Sequence, residues 1–246
     1  MKKIIAFCFC IAVMFGCSSD SSEGLSEGAK DGQGGSLAIF ALVGDYLYTV
    51  DHAKINVFSL INQANPVKVN DIEVGWDIET LFAREGYLYI GSREGMYVYS
   101  IANPENPQYV SSVQHFRSCD PVVANATHSY VTLHSNSTCG GDLNVLQVYD
   151  MADINNPIMI HQRNLVHPKG LGLFSDHYLI VCDDQIKIFD IVNPAEPVLV
   201  KSIDKSCFDV IIKNNVMFAI GDQSLTRFLL NPNDIGNVEV QSEIVF

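Results

Sequence analysis

One phrase is written into this chain five times, and a period of that kind limits architecture more than any single residue does. Its fullest copy is IKIFDIVNPAEPVLV at residues 186–200: a short alternating strand, an Asn-Pro turn, a second Pro three residues on, and another apolar strand. Variants run INVFSLINQANPVKV from Ile55, MYVYSIANPENPQYV from Met96, LQVYDMADINNPIMI from Leu146 and, degraded, TRFLLNPNDIGNVEV from Thr226. Upstream of each copy stands an aromatic-centred strand, GDYLYTV, EGYLYIG, HSYVTLH, DHYLIVC and finally NNVMFAI, anchored at Tyr46, Tyr87, Tyr130, Tyr178 and Val216. Each anchor follows an apolar strand (residues 37–43, 78–83, 122–126, 171–174 and 210–212) and a short polar turn, which is the pattern of a hairpin.

Every repeat therefore holds four short strands, and the anchors lie 41, 43, 48 and 38 residues apart. An all-β chain of four-stranded units at about 40 residues each is the signature of a β-propeller, here with five blades. No stretch sustains a 3.6-residue period, which argues against a helical solenoid. The prolines fall in turns and at strand starts, where a missing N–H costs nothing. Residues 238–246 take the place of the fifth fourth-strand, so the ring is expected to close by packing of the fifth blade on the first. The competing picture is an open arc completed by a partner chain.

The repeat resembles the LVIVD-repeat β-propellers of bacterial and archaeal surface proteins, on a Tyr-centred strand, a strand of the I-[VF]-D type and an N-P-x-x-P turn. Residues 178–198 carry the best match, and the resemblance extends over about residues 37–246. The fifth copy departs from it by lacking the second Pro and by placing Arg227 where an apolar residue is expected. The resemblance implies a scaffold more than a reaction.

Lys2, Lys3 and the apolar run at residues 4–15 form the n- and h-regions of an export signal. It ends in MFGC at residues 14–17, which resembles the lipobox of bacterial lipoproteins, with Cys17 as the lipidated residue. The expected organisation is a signal peptide at residues 1–16, a lipidated Cys17 and flexible Gly/Ser/acidic tether at 17–36, and the propeller at 37–246. The expected address is the bacterial outer membrane or cell surface, reached through acyl chains. Without Lys2 and Lys3 the chain carries 13 basic against 28 acidic side chains. Such a surface repels phosphate backbones and argues against nucleic-acid binding.

Cys119, Cys139, Cys182 and Cys207 remain after the leader, an even number in an exported chain. Repeat position pairs Cys119 with Cys139, pinning a loop, and Cys182 with Cys207, stapling two blades. No C-x-x-C, H-E-x-x-H, G-x-S-x-G or phosphate-loop pattern occurs, so no cofactor or metal is expected. Strand ends at one face of the ring collect a candidate binding face: Asp51, His52, Trp76, Asp77, Glu79, Asp120, His134, His167, Asp183, Asp184, Asp209 and Asp222, with Arg93, Glu94 and Lys169 nearby. From anchor to third strand the third repeat takes 18 residues, Tyr130 to Val148, where the others take 10 or 11. The extra residues lie at 134–142, in a loop of the kind that carries recognition. The leading expectation is a non-enzymatic scaffold binding an unidentified protein or glycan. Its rival is an exported carbohydrate-active enzyme working through carboxylates at the channel mouth.

Overall fold

The computed structural model describes residues 34–114, 121–135 and 143–246. Cys17, Cys119, Asp120, Cys139 and most of the third-repeat insertion lie outside the described residues. The described chain is all-β, five four-stranded antiparallel sheets each made of consecutive strands, arranged as a five-bladed β-propeller. Blade 1 holds β1 (Phe40–Val43), β2 (Tyr46–Val50), β3 (Lys54–Ser59) and β4 (Val67–Glu73). Blade 2 holds β5 (Ile78–Arg84), β6 (Tyr87–Ser92), β7 (Gly95–Ser100) and β8 (Gln108–Gln114). Blade 3 holds β9 (Val122–Ala124), β10 (His128–Leu133), β11 (Val145–Asp150) and β12 (Ile158–Asn164). Blade 4 holds β13 (Leu171–Phe174), β14 (Tyr178–Cys182), β15 (Ile186–Asp190) and β16 (Val198–Ile203). Blade 5 holds β17 (Asp209–Lys213), β18 (Val216–Ile220), β19 (Ser224–Leu230) and β20 (Val238–Val245).

The repeated phrase acts locally. Asp150 and Asp190 leave their third strands and accept the N–H two residues on through Oδ1, and Ser100 does the same through Oγ. The turn residue then accepts the N–H three residues ahead: Asn62 from Asn65, Asn103 from Asn106, Asp153 from Asn156, Asn193 from Glu196 and Asn231 from Asp234. Asx side chains stabilise such turns at no cost to a ladder. Every third strand also shifts register against its fourth strand at one place: Val57/Phe58, Val98/Tyr99, Val148/Tyr149, Ile188/Phe189 and Arg227/Phe228. A bulge there adds twist and sends two successive side chains into the seams on either side of the blade.

Both faces of an internal blade are apolar because each is covered by a neighbour. Four cores result, one per seam, joining blades 1 and 2, 2 and 3, 3 and 4, and 4 and 5. Three seams add a polar clasp from one register of the fourth strand to the turn of the next blade. Asn70 Nδ2 donates to Glu105 O at 2.9 Å, Ser111 Oγ donates to Ile154 O at 2.6 Å, and His161 Nδ1 lies 2.9 Å from Ala195 O. The fifth seam differs. Among the described residues no apolar core joins blade 5 to blade 1, so the expectation that packing alone closes the ring is not met there. The connection runs instead through hydrogen bonds of the segment leading into β1.

The hairpin registers correct two readings. His128 pairs with Asp150 as Tyr46 pairs with Ser59 and Tyr178 with Asp190, so His128 holds the anchor position of blade 3 and Tyr130 matches Tyr48. A two-residue slip leaves every side chain on its own face, which is why alternation in the sequence did not expose it. The first strand starts at Phe40 rather than residue 37, and Ser36, read from sequence as tether, is buried.

Candidate functional site

Blades 1 and 2 enclose the cavity that gathers the largest group of the expected face residues. It measures about 560 Å³, with Ile39, Val50 and Ile78 as apolar wall and Asp51, His52, Asp77, Glu79 and Arg93 as polar lining. Backbone bonds tie its loops together. Ile78 N donates to His52 O at 3.2 Å, Val74 N to Ala53 O at 2.9 Å, and Arg93 N to Asp77 O at 3.0 Å. Asp77 sits at φ 53°, a left-handed conformation that an Asx residue tolerates and that turns the chain sharply into β5.

The acids in this cavity have different states. Asp51 accepts the N–H groups of Ala53 and Lys54 at 3.1 and 3.0 Å and the Asn56 amide at 3.1 Å. The Ala53 N–H first, then Asn56, hold its carboxyl below the usual range. Asp77 pairs with Arg93 Nη1 at 3.2 Å. Glu79 is half-buried, and desolvation raises its pKa against the opposing pull of Arg93. Arg93 Nε is shielded from water without a hydrogen-bond partner among the described residues, a donor free for a ligand. Trp76, next to Asp77 in the chain, is 80% exposed. An indole standing in water at the bend between two blades is a ready stacking surface.

The other expected face residues do not join this cavity. His134 and His167 meet edge to face across blades 3 and 4, with ring centroids 5.7 Å apart. Asp183 is buried and structural. Both its oxygens accept the Val166 N–H at 3.1 Å, Oδ1 accepts the His167 N–H at 2.5 Å, and Lys187 Nζ lies 2.6 Å from Oδ2. It thereby fixes the loop carrying His167, while Asp184 binds the same ammonium at 2.7 Å from nearer solvent. Lys187 was not singled out by sequence, although its position four residues after Asp183 on a tight hairpin was a signal. Asp222 is exposed in the turn between β18 and β19. Among the described residues no group of three or more His, Cys, Asp or Glu is placed to hold a metal. The expected Cys182–Cys207 disulfide is present, with Cα atoms 5.4 Å apart, and joins blades 4 and 5.

Asp209 organises the axis of the ring. Ser36 Oγ donates to its Oδ1 at 3.0 Å and Leu37 N to its Oδ2 at 3.3 Å, while Leu171 N donates to Ser36 Oγ at 2.7 Å. Leu81 N closes the set by donating to Ala38 O at 2.7 Å, so the leading segment is tied to blades 2, 4 and 5. A Cβ at Gly35 or Gly170 would collide with the Asp209 carboxylate, which is why both positions need glycine. Burial pushes the Asp209 pKa up to about 6, more than the N–H and O–H donors pull it down. A folded-state pKa above the unfolded value of 3.8 means that the folded chain holds the proton more tightly. The resulting stability is complete below pH 3.8 and lost as pH rises through about 6. Asp209→Asn should remove that slope, so its stability relative to the parent should improve by up to roughly 2–3 kcal/mol from pH 4 to pH 7. Urea unfolding across this range checks it, and parallel pH profiles for the two proteins would contradict the assignment.

Comparison with known proteins agrees with the blade structure. Residues 78–115 and 174–205, in blades 2 and 4, match the LVIVD repeat. No curated protein matches the sequence. Among solved structures, a protein of unknown function from Desulfotomaculum acetoxidans superposes with a TM-score of 0.67 at 9% identity, covering 82% of this chain and 66% of that one. A protein from Lactobacillus plantarum gives 0.68 at 9% identity over 83% and 73%. A periplasmic gluconolactonase of Pseudomonas aeruginosa gives 0.63 at 15% identity over 82% and 68%. The chain thus spans about two thirds of the length of these structures, and at such identities the likeness concerns the fold. The chain is an all-β, five-bladed propeller carrying LVIVD repeats.

Proposed function

We propose that the protein is a lipid-tethered extracytoplasmic propeller that binds a glycan in the cavity of blades 1 and 2. The observation that carries the reading is a cavity lined by carboxylates and a guanidinium, with the exposed indole of Trp76 directly preceding its lining residue Asp77 in the chain. A sugar offers an apolar C–H face for the indole and a ring of hydroxyls that carboxylates accept from and Arg93 donates to. The acyl tether on Cys17 belongs to the same proposal and rests on the MFGC sequence behind a short apolar leader. The enzyme reading finds less support, because Asp51, Asp77, Asp183 and Asp209 are each engaged by neighbouring groups. Glu79, with its raised pKa, is the one carboxyl in this cavity suited to donating a proton.

Trp76 is the sole tryptophan, which makes it a built-in reporter. Titrating the Cys17→Ser chain, expected in the soluble fraction, with neutral β-linked hexose oligosaccharides should blue-shift or quench its fluorescence. Glu79→Gln and Arg93→Ala should each weaken binding about tenfold, the equivalent of 1.4 kcal/mol. An unchanged spectrum across the oligosaccharide set would overturn the glycan reading, and membrane retention of Cys17→Ser would remove the tether. Release of reducing ends, lost in Glu79→Gln, would move the protein to the enzyme class.

A further inference from the structure

The fifth seam is built from the same registers as the other four, yet among the described residues no apolar core covers it. In the first strands Phe40 occupies the place of Leu81, Val122, Leu171 and Val210, as their pairing with Thr49, Ile90, Val131, Val181 and Ala219 shows. Those four are fully buried against the preceding blade, whereas Phe40 is 56% exposed. Leu42, one step along the same face, is 47% exposed, while its counterparts Ala83 and Ala124 are buried and Leu173 and Ile212 are half-buried. The far face of blade 5 behaves alike. Ile211 is exposed where Ala41 and Val123 are buried and Phe82 is half-buried, and Phe218 is only half-buried where Tyr48, Tyr89, Tyr130 and Ile180 are covered. Arg227 stands in the register of Val57, Val98, Val148 and Ile188, all of them inaccessible to solvent.

The geometry points to this seam as a docking site for a β-blade supplied by a partner polypeptide, a four-stranded antiparallel sheet apolar on both faces. Three observations favour such an occupant. The two free faces continue the blade-to-blade interface already formed four times within the chain, so a sheet of this type fits them by the same side-chain interdigitation. Ser242 of β20 sits in the register from which Asn70, Ser111 and His161 clasp the next blade, so the polar half of the interface is also waiting. Three of the solved propellers that superpose on this chain leave 27 to 34% of their own length outside the superposed part. Arg227 adds a charge condition: the blade that covers blade 5 brings a carboxylate or free carbonyl oxygens to it, since a guanidinium buried without an acceptor is costly. A second copy of this chain satisfies the apolar faces but is the alternative occupant, not the one proposed.

Two measurements test the inference on Leu42→Cys, with Val192→Cys, exposed at the turn of blade 4, as control. Maleimide labelling followed by peptide mass reports each position separately from the native cysteines. In membranes of the producing cell Leu42→Cys should react at least tenfold more slowly than in the purified chain, while Val192→Cys reacts equally in both. Equal rates at residue 42 would overturn the proposal. The nature of the occupant is read by extending the full Arg227→Val chain after Phe246 with a second copy of residues 74–114, one blade that is covered on both faces in the parent and is apolar where it would meet residue 227. That extension should slow labelling at residue 42 at least tenfold in purified protein and raise the melting temperature, and unchanged labelling beside a folded extension would show that blades do not fit. Concentration-dependent protection of the unextended chain, with sedimentation as a dimer, would replace the partner by a second copy.

Discussion

Leu81→Asp should abolish cooperative folding, whereas Phe40→Asp, at the same register one blade earlier, should leave the protein folded. Leu81 is 1% exposed in the core shared by blades 1 and 2. Losing its buried side chain costs roughly 2–5 kcal/mol. A carboxylate in that position adds a desolvation penalty of several kcal/mol more, because the side chains packed around it are apolar. The total reaches the whole stability of a typical domain, about 5–15 kcal/mol. Phe40 lies in the open fifth seam, where substitutions away from packed features usually stay within about ±0.5 kcal/mol. Circular dichroism with urea titration distinguishes the two variants. A parent-like midpoint for Leu81→Asp would refute the seam core, and equal damage from Phe40→Asp would mean that the fifth seam is packed in solution.

Loss of the Cys182–Cys207 bond should lower stability by about 3 kcal/mol, the chain-entropy value for a closed loop of this length. The separation of 25 residues spans the end of blade 4 and the start of blade 5. Among the described residues blade 5 has a packed neighbour on one face only, so a covalent tie there restrains a unit held by a single seam core. Both cysteines are buried, so reduction in the native state should be slow and should accelerate in denaturant. Cys182→Ala with Cys207→Ala, compared with the parent by guanidinium unfolding, measures the loss. An unchanged midpoint, with the parent bond verified by mass, would show that the staple contributes nothing.

Much of this architecture is legible in the residues alone, and the exceptions have physical causes. Blade number, strand order and the Asn-Pro turns follow from the repeated phrase, because alternation, turn chemistry and proline placement act over a few neighbouring residues. The pairing of Cys182 with Cys207 also follows, once repeat position places both at adjacent strand ends. The anchor of blade 3 does not, since His128 and Tyr130 lie two residues apart on one side of one strand and the alternation is the same for either. Arg227 was visible as a departure from the repeat, and its neighbours in space give the departure a meaning: it faces no blade. Ser36 carried no local signal at all, lying at the end of a Gly- and Ser-rich stretch.

The candidate site divides along the same line. Polar residues at strand ends are marked by their place in the repeat, which is how Asp51, His52, Asp77 and Glu79 enter the list together with Asp183, Asp209 and Asp222. Which of them share a cavity is settled by loop bonds between blades, such as Ile78 N to His52 O, that link residues far apart in the chain. By itself the sequence determined the blades, because a blade is made by period-two alternation and short turns, both local. The tertiary structure alone decided how the blades meet. Four seams carry an apolar core and the fifth is joined by hydrogen bonds, because burial in a seam depends on side chains that meet only across blades and are far apart in the chain.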